Sequence, residues 1–308
     1  MNRWSFRILK VLTMALKVLS LLLCIDSIRG ALWGIDLVFL RLDTAIFDST
    51  VHGADLAWSH RQMLRFLSGP IGGTFAGFWF CAWATLQFGR RREITGNLYA
   101  LAGCWALILL ASVGHPGFLA LRVSLFTPHG LFSAVFLAGL ALLRILIALT
   151  TPRTGVSGPG LWWLKRRSRS IWVTWLLAAF AMAMMVGLAT MFFGDSFVFA
   201  DYNVNLVQTY FGAVEPSETS IALKQVLFYW VGAAIIAHYV VMVPVALGAF
   251  AAGMRWSYLT IGVSMALWFT IDSLVSTWFG ASFNVWQINL PAITLTLIPV
   301  VVMMRKHP

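Results

Sequence analysis

What most constrains this chain is a series of long apolar runs, each nearly free of charge, separated by short polar clusters. They lie at roughly Phe6–Ile25, Phe66–Phe88, Leu98–Gly114, Phe126–Leu149, Ile171–Phe193, Val226–Phe250, Tyr258–Phe279 and Val285–Met304. A hydrocarbon core of about 30 Å is crossed by a helix of about 20 residues, and these runs lack the alternation of strands. In lipid only helices or closed barrels satisfy the backbone hydrogen-bonding groups. The expected fold is all-α: a polytopic membrane bundle of about eight transmembrane helices. Composition agrees, since 60% of residues are apolar and 11% charged, against about 25% charged in a soluble domain. That is too little charge to cover a soluble surface. The first run carries Lys10 and Lys17, and the third is short. Lys17 breaks the first apolar region, and no small-residue cleavage site follows. Leu21–Cys24 has the look of a lipoprotein box, but Leu23 is bulky where a small residue is needed. The run therefore reads as an uncleaved first helix.

The formal charge of +11 would suit a nucleic-acid binder, so the placement of the bases decides. Arg3, Arg7 and Lys10 open the first run, and Arg90–Arg92 follow the second. Arg153, Lys165, Arg166, Arg167 and Arg169 follow the fourth, Arg255 the sixth, and Arg305 and Lys306 the eighth. With eight helices these clusters share one side, where Glu93 is the lone acid. The opposite side collects Asp26, Asp36, Asp43, Asp48, Asp55, Asp195, Asp201, Glu215 and Glu218. Excess Lys and Arg mark cytoplasmic connections, so both termini are expected in the cytoplasm. The partner implied is a lipid bilayer, with no nucleic acid.

The halves look alike. Each has a helix, a long outside segment, a helix ending in a basic turn, and a helix pair. Faint matches recur at a shift of about 160 positions, with Val38–Phe39 on Val198–Phe199 and Ala106–Leu107 on Ala266–Leu267. Four helices per unit gives both units one orientation, a 4+4 parallel tandem repeat about an axis along the membrane normal. The units are 1–150 and 171–308, joined by a basic cytoplasmic linker, 151–170, that opens with a Gly/Pro/Ser/Thr-rich stretch. Ile35–Leu67 interleaves apolar and charged residues, with Phe39, Leu42 and Ile46 at helical spacing, and reads as an amphipathic outside helix. Asp195–Lys224 is its counterpart.

Two stretches, GPIGGTFAG at Gly69–Gly77 and WFTIDSLVSTWFGASFNVWQINLPA at Trp268–Ala292, resemble parts of a four-helix module in small uncharacterised bacterial integral membrane proteins. In that module both stretches belong to one repeat. Here each half holds one, as complementary decay of a duplicated module would leave them. The resemblance covers about a tenth of the chain directly and implies architecture and a bacterial inner membrane, with no activity.

Ionisable groups inside a bilayer are costly and are candidates for function. Asp272 lies well inside the seventh run, His238 near the middle of the sixth, six residues before Pro244, and Lys17 past the middle of the first. A carboxylate facing a lysine or histidine can relay protons or hold a polar headgroup; a structural ion pair, or a protonated Asp272, explains the same residues. Arg3, Arg7, Lys10 and Lys17 fall within about 80° of one helical face, a stripe suited to anionic headgroups, with Lys17 snorkelling. Arg144 also reads as snorkelling.

On the outer side stand His52, His60, His115 and His129, with Asp48 and Asp55 flanking His52 at helical spacing. This set suits Zn²⁺ or Cu²⁺. Against it, Gly53 interrupts the helix, no HExxH spacing is present, and a solvated amphipathic face accounts for the pattern. Cys24, Cys81 and Cys104 have no metal spacing and read as buried small hydrophobes. Gly69, Gly72, Gly73 and Gly77 point to close helix packing, not to a phosphate loop, which would end in GK[ST]. Many tryptophans near run ends suit interfacial anchoring.

Three functions stay open. The first is transport or binding of a small solute or lipid within the bundle. The second is an outer-face metal-dependent membrane enzyme. The third is an assembly or scaffold subunit among the other subunits of a membrane complex. No motif names a cofactor.

Overall fold

The computed structural model describes residues 3–33, 58–89, 135–143, 145–146, 170–212, 215–216 and 218–307. Its helices are α1 (Arg3–Trp33), α2 (Trp58–Phe88), α3 (Ile171–Phe193), α4 (Ala200–Tyr210), α5 (Glu218–Val245), α6 (Arg255–Trp278) and α7 (Leu290–Lys306), with a helical stretch at 135–143. Among the described residues there is no strand. Among the described residues five helical segments are long and apolar enough to cross a membrane: Arg7–Trp33, Ile171–Phe193, Lys224–Phe250, Arg255–Trp278 and Ser282–Lys306. This is the make-up of a multi-pass membrane protein. The third run, most of the fourth, the linker and residues 34–57 lie outside the described residues.

Several boundaries differ from those read off hydropathy. Helix α1 runs on to Trp33, and α2 begins at Trp58, inside the stretch assigned to the first outside segment. Among the described residues of the counterpart segment Asp195–Lys224, a 3-10 turn at Phe197–Phe199 and α4 precede α5, which starts at Glu218. Hydropathy marks the lipid-crossing part of a helix, while backbone hydrogen bonding carries it further into the interface. Pro244, near the end of α5, is followed immediately by a π turn, Ala246–Phe250. A π turn absorbs the register change that a proline imposes.

Helix α2 holds the centre, against α1, α5 and α6, while α3 packs on α5 and α7. It contains Pro70 and is rich in glycine, which lets its neighbours approach closely. Lipid tails give helices no hydrophobic reason to associate, so close backbone approach supplies the attraction. Gly69, Gly73 and Gly77, four residues apart, make one stripe on α6. A β-carbon at Gly69 would sit 2.7 Å from Val275, at Gly73 3.1 Å from the Trp268 carbonyl oxygen, and at Gly77 2.6 Å from the Ser264 carbonyl oxygen. Gly72 turns the other way, toward α1.

Contacts recur along the chain at a constant displacement. A β-carbon on Gly72 would lie 2.6 Å from the Ser27 carbonyl oxygen and 2.8 Å from the Ala31 nitrogen; on Gly232 it would lie 2.3 Å from the Gly187 carbonyl oxygen and 2.9 Å from the Met191 nitrogen. Residues 72, 27 and 31 map onto 232, 187 and 191 at the 160-residue separation that also relates Cys81 to Val241. Trp79 packs edge-on against Phe136, and at the same displacement Tyr239 is hydrogen-bonded to Thr296. Where α2 crosses α5, the Cys81 Sγ faces the Val241 carbonyl at 4.0 Å.

The long helices also share their ends. Phe88 stacks near Trp256, Lys306 lies over Trp172, and Gly253 neighbours His307. Arg255, Arg305 and Lys306 thus gather at one end of the bundle, and α4, with Asp195, lies at the other.

Candidate functional site

Asp272 is 2% exposed and lies two turns from the α4 end of α6. The end of α6 returns the chain onto it. Gly280 takes φ +78°, a left-handed conformation that favours glycine, and the Ala281 N–H donates to the Ser276 carbonyl at 2.7 Å while Gly280 N–H donates to Thr277. This paired closure is a Schellman stop. The turn Ser282–Asn284 follows, then a π turn, Val285–Asn289, closed by the Leu290 N–H on the Val285 carbonyl. In a π turn residue i+5 sits over residue i, so Asn284 and Asn289 share a face that an α-helix would split. That face meets Asp272.

The contacts are specific. Ser276 Oγ and Asn284 Nδ2 each donate to Asp272 Oδ1 at 3.0 Å, and Asn284 Nδ2 also reaches Ser276 Oγ. Asn289 and Trp268 are hydrogen-bonded to the same carboxyl, and Asn289 Nδ2 donates to Ser273 Oγ at 3.2 Å. Helix α4 covers the group: Tyr202 donates its hydroxyl to Asn284 Oδ1 at 3.1 Å, and Tyr210 donates to the Phe279 carbonyl at 3.0 Å. Burial, and then the neighbouring Asp272, push the Tyr202 phenol well above its ordinary range, so it stays a donor. On the far side the backbone of Asp272 rests on Gly73.

All four partners of the carboxyl are neutral. Asp26 pairs with Arg29 at 3.7 Å, and Asp195 pairs with Lys224; neither pair includes Asp272. The second pair anchors α4's end. Burial raises the Asp195 carboxyl, but hydrogen bonds from Lys224 and Gln225 and the Lys224 charge outweigh it, leaving it below its ordinary value.

His238 stands apart. Its Nε2 is 2.8 Å from Ser264 Oγ, and Ser264 donates its hydroxyl to the Gly77 carbonyl at 2.7 Å. A serine has one proton to give, so Nε2 carries the hydrogen and donates. The chain His238 → Ser264 → Gly77 ties α5, α6 and α2 together. Ser264 lies eight residues before Asp272, about 12 Å along the helix. His238 and Asp272 are thus not direct partners. Lys17 is half-buried on α1, and the groups bonded to Asp272 and His238 come from other elements.

Of the outer-side metal candidates, Asp48, His52, Asp55, His115 and His129 lie outside the described residues, as does the side chain of His60. Cys24 and Cys81 are free and buried; Cys104 falls outside the described residues. Sequence reasoning missed Asn284, Asn289, Ser276 and Tyr202. A spacing of five separates the asparagines on an α-helical wheel, and only the π turn reunites them. Two asparagines in an apolar run were the available signal.

No protein-family model, curated protein or solved structure matches the chain.

Proposed function

We propose that this chain is a multi-pass protein of a bacterial inner membrane that binds or transports a small solute or lipid within its helix bundle, at the Asp272 centre. It has eight transmembrane helices in two parallel four-helix units, with both termini cytoplasmic. The observation that carries the functional reading is a buried carboxyl held by four neutral groups, with no base among them. A charge kept inside an apolar layer without a partner is costly. A merely structural Asp272 would be paired with a base or replaced by an uncharged residue at lower cost.

The duplication rests on the contacts that recur at a displacement of 160. A two-fold axis between α2 and α5 brings equivalent positions together, as Cys81 and Val241 are. The orientation rests on the segregated bases, and the bacterial membrane on the resemblance of Gly69–Gly77 and Trp268–Ala292.

The test is native mass spectrometry of the full chain extracted into nanodiscs with its own lipids. Wild-type protein retains a specific small molecule or lipid. Asp272→Asn, accumulating to normal levels, loses it. Retention of the same species by Asp272→Asn refutes the reading.

A further inference from the structure

Asn289 is fully buried, its Nδ2 donates to Ser273, and its Oδ1 has no hydrogen-bond partner. An ionised carboxylate only accepts, so the amide must turn its nitrogen toward Asp272. The oxygen of the same amide, whose side chain is bonded to the carboxyl, then has no partner. Two acceptors, one of them charged, therefore share this place, and what they lack is positive charge. A polar group buried without its complement is rare in a folded protein and calls for an explanation.

We propose that Asp272 and Asn289 together hold one small monovalent cation, a proton or a sodium ion, that couples to the solute or lipid of the function proposed above, on which this inference rests. Either ion meets the same demand. Sodium takes the carboxylate and the amide oxygen as hard ligands. A proton on Asp272 makes the acid a donor to Asn289 Oδ1. The π turn Val285–Asn289, a device frequent at functional sites, is what sets this oxygen there. No base is bonded to the carboxyl; at this end Arg65 of α2 and Asp201 of α4 are exposed, and Lys224 is paired with Asp195. Helix α2 offers the backbone at Gly73, α6 itself offers Trp268, Ser273 and Ser276, and α4 offers the Tyr202 phenol through Asn284. Helix α1 brings Asp26 and Arg29 to this end, paired with each other, and the charges of α7, Arg305 and Lys306, are at its opposite end.

Thermal unfolding of the purified full chain, with no solute added, separates the sources. If the ion is sodium, the wild-type midpoint rises with sodium chloride and not with choline chloride, and the effect weakens as pH falls. If it is a proton, the midpoint rises with falling pH alike in both salts. In either case Asp272→Asn abolishes the response, and Asn289→Ala, which keeps the carboxylate, shifts it by about tenfold in ion concentration. The proposal is overturned if wild type responds to neither ion, or if Asn289→Ala and wild type respond identically. Asn289→Ala carries the comparison should Asp272→Asn fail to fold. Loss of the retained ligand in Asp272→Asn with no ion response sinks this inference alone; an ion response with no retained ligand sinks the transport reading and leaves the ion site.

Discussion

Substituting alanine for glycine inside a helix ordinarily stabilises by about 0.5–1 kcal/mol, because glycine loses more backbone freedom on folding. Gly232→Ala should reverse that sign. The new methyl would meet the Gly187 carbonyl oxygen at 2.3 Å, the Met191 Cγ at 2.5 Å and the Met191 nitrogen at 2.9 Å, where ordinary contact begins at 3.4 Å. Met191 Cγ can swing aside, but the other two atoms are backbone of α3. Relief therefore requires α3 and α5 to part by 3.4 − 2.3, or about 1 Å, along their whole crossing. Overpacking of this kind costs about 1–3 kcal/mol, and with rigid backbone as the obstacle the upper part of that range applies. The net effect is a loss of about 1–2 kcal/mol. Gly262→Ala is the control: its nearest neighbour would be Val300 Cγ1 at 3.9 Å, so it should gain the usual stabilisation. Unfolding of the full chain in mixed micelles, followed by tryptophan fluorescence, compares the two. Equal stability of both variants would refute the close-packing argument and, with it, the matched crossing of α1 and α2 at Gly72.

His238→Ala removes a donor and leaves a void between three helices, at a cost of about 2–3 kcal/mol. Its unfolding midpoint should fall while the ligand that depends on Asp272 is still retained; normal stability with lost retention would make the imidazole functional instead of structural. Asp195 supplies the pH dependence. Its folded value is lowered, so the pairing with Lys224 stabilises fully above the ordinary carboxylate range and is lost as pH falls through the folded value. The midpoint difference between wild type and Lys224→Met should be constant above about pH 5 and shrink below about pH 4. Asp195 is 41% exposed, so this difference is small, about 1 kcal/mol at most, and a gap that widens on acidification would contradict the assignment.

Hydropathy alone made the helical membrane character legible, because the cost of unsatisfied backbone in lipid leaves so few alternatives. The glycine stripe was legible too: spacing of four puts Gly69, Gly73 and Gly77 on one face, and that face does meet α6. Asp272 stood out as a charge in an apolar run. Its environment did not. Asn284 and Asn289 are polar residues whose five-residue spacing makes sense only after a π turn has been formed, and a π turn has no composition of its own. Tyr202 approaches from α4, seventy positions earlier, and nothing local in either segment announces the meeting. His238 was readable as buried, but its role depends on a serine whose only proton is already committed to Gly77.

The two stretches that share a resemblance, Gly69–Gly77 and Trp268–Ala292, come from different halves and lie face to face, glycines of α2 against the backbone of Ser264, Trp268 and Asp272. Under the duplication reading this explains why each half could lose one of them. On that reading a two-fold axis through the α2–α5 crossing would set the second helix of one unit against the third helix of the other, so that one glycine stripe and one carboxyl centre suffice for one complete site. At a displacement of 160, the positions of Gly69, Gly73 and Gly77 hold Tyr229, Ala233 and Ala237, and those of Asp272, Asn284 and Asn289 hold Ser112, Ser124 and His129. Those positions hold neither a run of glycines nor an acid. A chain with one charged centre in a two-fold frame should therefore take up one equivalent of ion, not two. Titration of the full chain to a stoichiometry of two would contradict both the asymmetry and the assignment of the site to Asp272.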